Sequence, residues 1–330
     1  MAQELVSVVV PLHDESGNLR ELSHRIGGAL GQLENIDFEI LLVDDGSADA
    51  SWDVIRQLHD ADPRIKGLRL SRNFGHQAAL TAGFDFASGD AIITMDADLQ
   101  HPPELLGSMI DKWRSGFHIV SMVRVPSPDE PWMKRRTSSL FYRLINALSE
   151  IKIKGAVADF RLLDRRVVRR LNKMRERTRF IRGMISWIGF RETEIHYQPA
   201  PRFAGRSQYS VRKMLHLAVN AISSFSTTPL TLGFYLGLAA NAVCLGLFGY
   251  AVYNKIYENK DLSEWASTFM TMLFLNGIQL IMLSVLGLYL GRVLEEVKRR
   301  PLYITRDALG VAFRARRSSR GAHVQSVSAR

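Results

Sequence analysis

Residues 91–103 read AIITMDADLQHPP, and the reading of this stretch decides the fold. Ala91 to Met95 form an apolar run of strand length, so a short buried strand is expected there. Asp96 and Asp98 follow at its exit with only the small Ala97 between them. In an open α/β sheet, ligands lie beyond the carboxyl ends of the strands. A hard divalent cation such as Mg²⁺ or Mn²⁺ takes one or two carboxylates there and completes its shell with substrate phosphate oxygens. The pair therefore predicts a metal site for a phosphorylated ligand, with Asp96 and Asp98 as the metal ligands. An isolated D-x-D is common by chance, so its surroundings carry the argument.

Working back from this strand, apolar runs at Val6 to Leu12, Phe38 to Val43 and Ile65 to Leu70 alternate with helical stretches, and a further strand, His118 to Val123, ends at Arg124. Such alternation predicts a mostly parallel, doubly wound sheet. Acidic residues recur at the strand exits: His13-Asp14-Glu15 after the first, Asp44-Asp45 after the second, and Asp96 and Asp98 after the fourth. On one edge of one sheet they converge on one crevice. No G-x-G-x-x-G follows any strand and there is no P-loop, so a dinucleotide site of the usual kind is excluded.

The 330 residues allow roughly two domains. Leu230 to Val252 and Thr268 to Leu290 are apolar runs long enough to cross a hydrocarbon core of about 30 Å. Much of the net charge of +10 clusters after the second run, from Lys298 to Arg320, which places this tail in the cytoplasm by the positive-inside rule. No cleavable signal peptide is expected at the start. The expected organisation is a cytoplasmic catalytic domain over 1–228, a two-helix membrane anchor over 229–291 and a basic cytoplasmic tail over 292–330. Both termini then face the cytoplasm of a multi-pass inner-membrane protein. Segments 132–151 and 209–226 read as basic amphipathic helices that either lie in the membrane interface or pack on the sheet. The single Cys244 excludes an intrachain disulfide and a multi-cysteine zinc site. Basic residues flank membrane segments instead of alternating with aromatics on the soluble part, which argues against nucleic acid as a partner.

Five ordered segments, VSVVVPLHDE, ILLVDDGS, RNFGHQAAL, MDADLQHPPE and RFAGRSQYS, together with the two apolar runs, resemble the family 2 GT-A glycosyltransferases. The likeness is to the polyprenyl-phosphate hexosyl transferases, which include dolichol-phosphate mannose synthases and bacterial undecaprenyl-phosphate glucosyltransferases of the GtrB type. It spans about Val6 to Arg300. It implies a metal-dependent, inverting transfer of a hexose, with glucose from UDP-glucose ahead of mannose from GDP-mannose, to a polyprenyl phosphate. A homo-oligomer, with a tetramer as one form, is also implied.

Carried over by motif, the resemblance places Pro11, His13, Glu15, Asp44, Asp45, Asp96, Ala97 and Gln100 on the donor nucleotide, with His13 where relatives frequently have Tyr. Asp45 is equally compatible with capping the following turn. Asp98, Arg202 and Arg206 are expected on the metal and diphosphate, and Arg124, Arg135, Ser138 and Ser207 on the acceptor phosphate, for which guanidinium forks are suited. Asp159 matches the position often named as catalytic base. A phosphate monoester sheds its second proton near pH 6 and hardly needs one, so Asp159 acts either as a base or as a positioning group. Gly233 with Gly237 and Gly287 with Gly291 have the spacing of close helix packing. A processive synthase on the same fold would carry Q-x-x-R-W, which is missing. An Asp-x-Asp phosphatase does not fit Leu99-Gln100, and a non-catalytic adaptor would have no use for the full set of charged residues.

Overall fold

The computed structural model describes residues 3–125, 157–177, 179–198 and 264–311, with scattered helical residues between Tyr235 and Tyr253. Arg135, Ser138, Arg202, Arg206, Ser207, both expected interfacial helices and most of the first apolar run lie outside the described residues.

The chain opens as expected, with β1 (Glu4–Leu12), α1 (Leu19–Gly31), β2 (Ile36–Asp44), α2 (Ser51–Ala61), β3 (Ile65–Leu70), α3 (His76–Phe86) and β4 (Ala91–Thr94). A 3₁₀ turn (Pro103–Leu105), α4 (Leu106–Arg114) and β5 (Ile119–Arg124) follow. Then come β6 (Val157–Asp164), α5 (Arg165–Leu171), α6 (Ile181–Ile188), β7 (Glu192–Tyr197), α7 (Glu264–Val297) and β8 (Thr305–Leu309). The strands form one eight-stranded sheet in the order β7-β5-β6-β4-β1-β2-β3-β8. Val6, Val8, Val9 and Val10 of β1 have no exposed surface. A central strand covered on both faces needs a continuous apolar run of this kind. One cluster, including Leu22, Ile26 and Ile40, fills one face, and another, including Val9, Leu41, Leu80 and Phe84, fills the other. Helix α3 lies so close to β1 that a Cβ on Gly83 would meet Val9 Cγ1 at 2.1 Å.

The sheet is mostly parallel, as expected, with two antiparallel strands set into it. Strand β6 runs antiparallel between β4 and β5. The segment expected to be only a basic tail returns to the sheet, where β8 pairs antiparallel with β3, Leu68 facing Ala308. Helix α7 contains a 24-residue segment, Phe274–Val297, with a mean hydropathy of 1.7 and none of it buried. Among the described residues it is the one helix long and apolar enough to cross a membrane, and the whole of the expected run Thr268–Leu290 lies within α7.

Candidate active site

The site is built where β4 ends. Its last pair with antiparallel β6 is Thr94 with Arg161. Continuing that register places Asp96, two residues beyond Thr94, level with Asp159, two residues before Arg161. The Thr94 hydroxyl donates to the Asp159 carbonyl at 2.8 Å and ties the two segments together.

The D-x-D loop is fixed by its own residues. Leu99 has a φ of 59°, in the left-handed region, while its side chain is buried. A bulky residue held there costs about 1 kcal/mol or more, and burial of the leucine offsets it. Asp98 Oδ1 accepts from the Gln100 amide at 3.1 Å. The turn brings the fully buried His101 back under Asp96, whose amide donates to His101 Nδ1 at 3.0 Å. With Nδ1 accepting, the ring hydrogen sits on Nε2, which lies 3.7 Å from Asp96 Oδ2. His101 stacks on Phe160 with centroids 5.0 Å apart, and Tyr197 meets both rings edge-on. Burial first, then the Arg124 charge, push the imidazole pKa down against the pull of Asp96. His101 is therefore neutral.

Asp159 is held through both carboxylate oxygens. Arg182, in the first turn of α6, donates from Nε to Oδ1 at 2.8 Å and from Nη2 to Oδ2 at 2.9 Å. His76, the first residue of α3, places Nε2 3.5 Å from Asp159 Oδ2 and 3.9 Å from Asp96 Oδ1. Burial alone would raise the Asp159 pKa, but Arg182 and His76 outweigh it and hold the carboxyl well below its usual range. Burial likewise lowers the His76 pKa, and the hydrogen bond to Asp159 with the charges of Asp96 and Asp159 reverses this, leaving it raised.

The first two strand exits lie level, since Leu12 pairs with Asp44. Pro11 is buried in β1, and His13, exposed, donates from Nδ1 to the Asp45 carbonyl at 3.1 Å. Glu15 accepts from Asn18 Nδ2 at 2.6 Å. Asp44 and Asp45, expected on the nucleoside, are buried and fasten loops. Asp44 Oδ1 accepts from the Ser47 amide at 2.8 Å, and its Oδ2 lies 3.4 Å from Arg69 Nε. Asp45 takes the amides of Phe74 and Gly75 at 2.7 and 2.8 Å, so it caps a turn after β3 and not the one that follows it. Gly46 sits where this loop presses on Arg72, with a φ of 69° that a Cβ would strain, as well as clashing at 2.4 Å.

Arg124 reaches the same end of the sheet. Its Nε donates to the Tyr197 hydroxyl at 3.2 Å, and Nη2 lies 3.2 Å from His101 Nε2, a nitrogen that already carries its hydrogen. Ala97 is buried, whereas Asp96, Asp98 and Gln100 are partly exposed. Asp96, Asp98, Asp159 and Arg124 are thus brought to one place. Sequence reasoning missed His76, Arg182 and His101. His76 lies inside the quoted RNFGHQAAL segment and His101 inside the quoted D-x-D stretch, while nothing marks Arg182.

Among the described residues no group of three histidine, cysteine or acidic side chains could hold a metal ion by itself. Two partly exposed carboxylates suit a hard cation that draws its remaining ligands from a bound diphosphate. A zinc-type protein cage does not fit this donor set.

Residues 7–171 match the family model described as glycosyl transferase family 2. The chain is 41% identical over 308 residues to an uncharacterized glycosyltransferase of Synechocystis sp., covering 93% of this chain and 96% of that one. It is 39% identical over 305 residues to an uncharacterized glycosyltransferase of Bacillus subtilis, covering 92% and 94%. To a prophage bactoprenol glucosyl transferase homolog of Escherichia coli it is 37% identical over 299 residues, covering 91% and 97%. With the mixed, mostly parallel sheet and the D-x-D at the exit of β4, the chain belongs to the family 2 glycosyltransferases of GT-A fold.

Proposed function

We propose that the protein transfers glucose from UDP-glucose to a polyprenyl phosphate, undecaprenyl phosphate in a bacterial membrane, at the cytoplasmic face and with inversion at the anomeric carbon. The observation that carries this reading is the convergence of Asp96 and Asp98 with the Asp159–Arg182–His76 cluster at one strand exit. The bactoprenol glucosyl transferase names of relatives aligned over nearly their whole length support the acceptor and the sugar.

In this reading an acceptor phosphate oxygen attacks the anomeric carbon while the bond from that carbon to the diphosphate breaks, and UDP leaves with the electron pair. No proton has to move, because the acceptor is largely dianionic above about pH 6. Asp159 positions the site through Arg182 and His76 and does not act as a base. Arg202 and Arg206 grip the leaving diphosphate, and Arg124, Arg135, Ser138 and Ser207 hold the acceptor phosphate. A divalent cation, Mg²⁺ or Mn²⁺, held by Asp96 and Asp98 would offset the charge that develops on the leaving group. His13, Glu15 and Gln100 line the donor side, with Pro11, Asp44, Asp45 and Ala97 beneath them. Helix α7, with its exposed apolar segment, and the run at 230–252 form a two-helix anchor, and Lys298 to Arg300 mark its cytoplasmic end. The glycines at 233, 237, 287 and 291 suit close helix contacts in a homo-oligomer.

The test is a transfer assay on the detergent-purified full chain with undecaprenyl phosphate, Mn²⁺ and, in turn, labelled UDP-glucose, UDP-galactose and GDP-mannose. Organic-phase label from UDP-glucose alone is expected. Label from GDP-mannose in its place would keep the reaction and reject the sugar.

A further inference from the structure

A second basic cavity lies against the start of α3, where Gln77 follows His76. A cavity of about 640 Å³ is lined by Arg72, Arg177, Arg179 and Arg300, with Phe74 and Gln77 at the start of α3 and Pro301 to Ile304 on the other side. No acidic residue lines it, and it shares no residue with the D-x-D loop. Its size suits a small polar ligand or a lipid headgroup.

The construction of this cavity shows what it accepts. Arg179 is only 8% exposed, and its Nη1 and Nη2 are occupied by the Met174 carbonyl at 2.5 Å and the Leu171 carbonyl at 3.2 Å. Its Nε is buried without a hydrogen-bond partner. Burial, then the neighbouring Arg175 charge, push its pKa down to about 10, against the pull of Asp85 and Glu176. A buried cation in that state is stabilised by an added anion. Arg177 pairs with Glu295 at 2.8 Å, and its backbone amide donates to Glu296 at 2.5 Å, which fastens this wall to the last turns of α7. Arg72 stacks on Phe74 at 4.1 Å. Arg299 takes a φ of 46° as α7 ends, and this left-handed turn swings Arg300 and Pro301 over the cavity. Such a conformation is disfavoured for arginine, so the surrounding contacts hold it there. Tyr303 donates to Asp85 at 2.7 Å, and Ser71 to the Ile304 carbonyl at 2.9 Å, which completes that fastening.

The position selects the source of the anion. The apolar segment of α7 ends at Val297. Arg300 comes three residues later, just past the left-handed turn at Arg299. If α7 enters the membrane, as proposed above, the cavity opens at headgroup depth.

We propose that the Arg72–Arg177–Arg179–Arg300 cavity is a phosphate-binding site, separate from the sugar-transfer site, that takes the phosphate of an anionic lipid headgroup where α7 meets the membrane. It rests on the membrane reading of α7 but not on the transfer reaction.

The full-length protein in detergent is titrated calorimetrically with dihexanoyl phosphatidylglycerol, dihexanoyl phosphatidylcholine and inorganic phosphate, and separately with UDP and Mn²⁺. The variant is Arg72→Gln with Arg300→Gln. Arg179 is left intact because it holds two backbone carbonyls, while the Arg300 carbonyl that accepts from Arg177 survives the change. The wild type is expected to prefer phosphatidylglycerol over phosphatidylcholine by about tenfold or more, and the variant to lose that preference with UDP affinity unchanged. Inorganic phosphate binding more tightly than the lipid, and lost in the variant, keeps the site and assigns a soluble phosphate. Equal headgroup binding by wild type and variant overturns the proposal, as does joint loss of headgroup and UDP binding. A protein that discriminates headgroups yet transfers no sugar retains this site and rejects the reaction.

Discussion

Arg182 grips Asp159 through two parallel hydrogen bonds, 2.8 Å from Nε and 2.9 Å from Nη2, across 23 positions of sequence. Both carboxylate oxygens are engaged, and His76 adds a further contact. A carboxylate stabilised in its charged form by a fork of this kind has little affinity for a proton.

The first prediction is kinetic. The acid limb of kcat/KM should have an apparent pKa of about 6, set by the acceptor phosphate. Asp159→Asn should lower kcat by about 100-fold through lost positioning, yet leave that limb in place. A pH series on both proteins checks this, and disappearance of the limb in the variant would make Asp159 the base.

The same contact sets an acid-stability window. Asp159 has a folded pKa well below its unfolded value of about 3.9. Its contribution is therefore fully present above about pH 4 and is lost as pH falls through the lower folded value. Arg182→Gln should raise the pH of acid unfolding, as followed by circular dichroism.

Leu99 sets strain against burial. Leu99→Gly removes the penalty of its 59° φ, about 1 kcal/mol, but forfeits a buried leucine and leaves a cavity, about 3 kcal/mol. Burial wins, so a net loss of about 2 kcal/mol is expected in urea unfolding, with a looser D-x-D loop and weaker UDP binding in Mn²⁺.

A buried ion pair stands at the opposite end of the sheet. Glu39 accepts from Ser7 at 2.5 Å, the Ser88 amide at 2.6 Å and Lys66 at 2.6 Å. Burial raises the Glu39 pKa, and these partners together bring it below its ordinary value. Its contribution is present above the unfolded pKa of about 4.3 and is lost as pH falls through the folded one. Lys66→Met strands the carboxylate and should cost about 3 kcal/mol at pH 7, with a smaller cost near pH 4, where burial lets the unpaired Glu39 of the variant protonate. Denaturant melts at the two pH values check the difference.

The central strands were legible in the sequence because burial on both faces leaves uninterrupted apolar runs, as at Val6 to Leu12 and Phe38 to Val43. Strands β6 and β8 were not. The first, VADFRLLD, carries Asp159 into the site and buries the charged Arg161, and the second, TRDAL, covers an edge with polar residues, so neither has a clean period. The acidic strand exits were legible, but not that Asp96 and Asp98 stay partly exposed while Asp44 and Asp45 are buried and bond to loop amides. His76, Arg182 and His101 act through contacts between distant elements or through a left-handed turn at Leu99, and neither leaves a local pattern. Register and turn geometry, which leave no local pattern, bring Asp159, His76 and His101 to the D-x-D stretch.

The most direct test measures transfer of labelled glucose from UDP-glucose to undecaprenyl phosphate by the full chain before EDTA, after EDTA and after Mn²⁺ is restored, beside a folded Asp98→Asn variant. Lipid-soluble label that vanishes with EDTA, returns with Mn²⁺ and stays absent in the variant is the predicted result. Undiminished label in EDTA, or normal metal-dependent transfer by Asp98→Asn, would contradict the account.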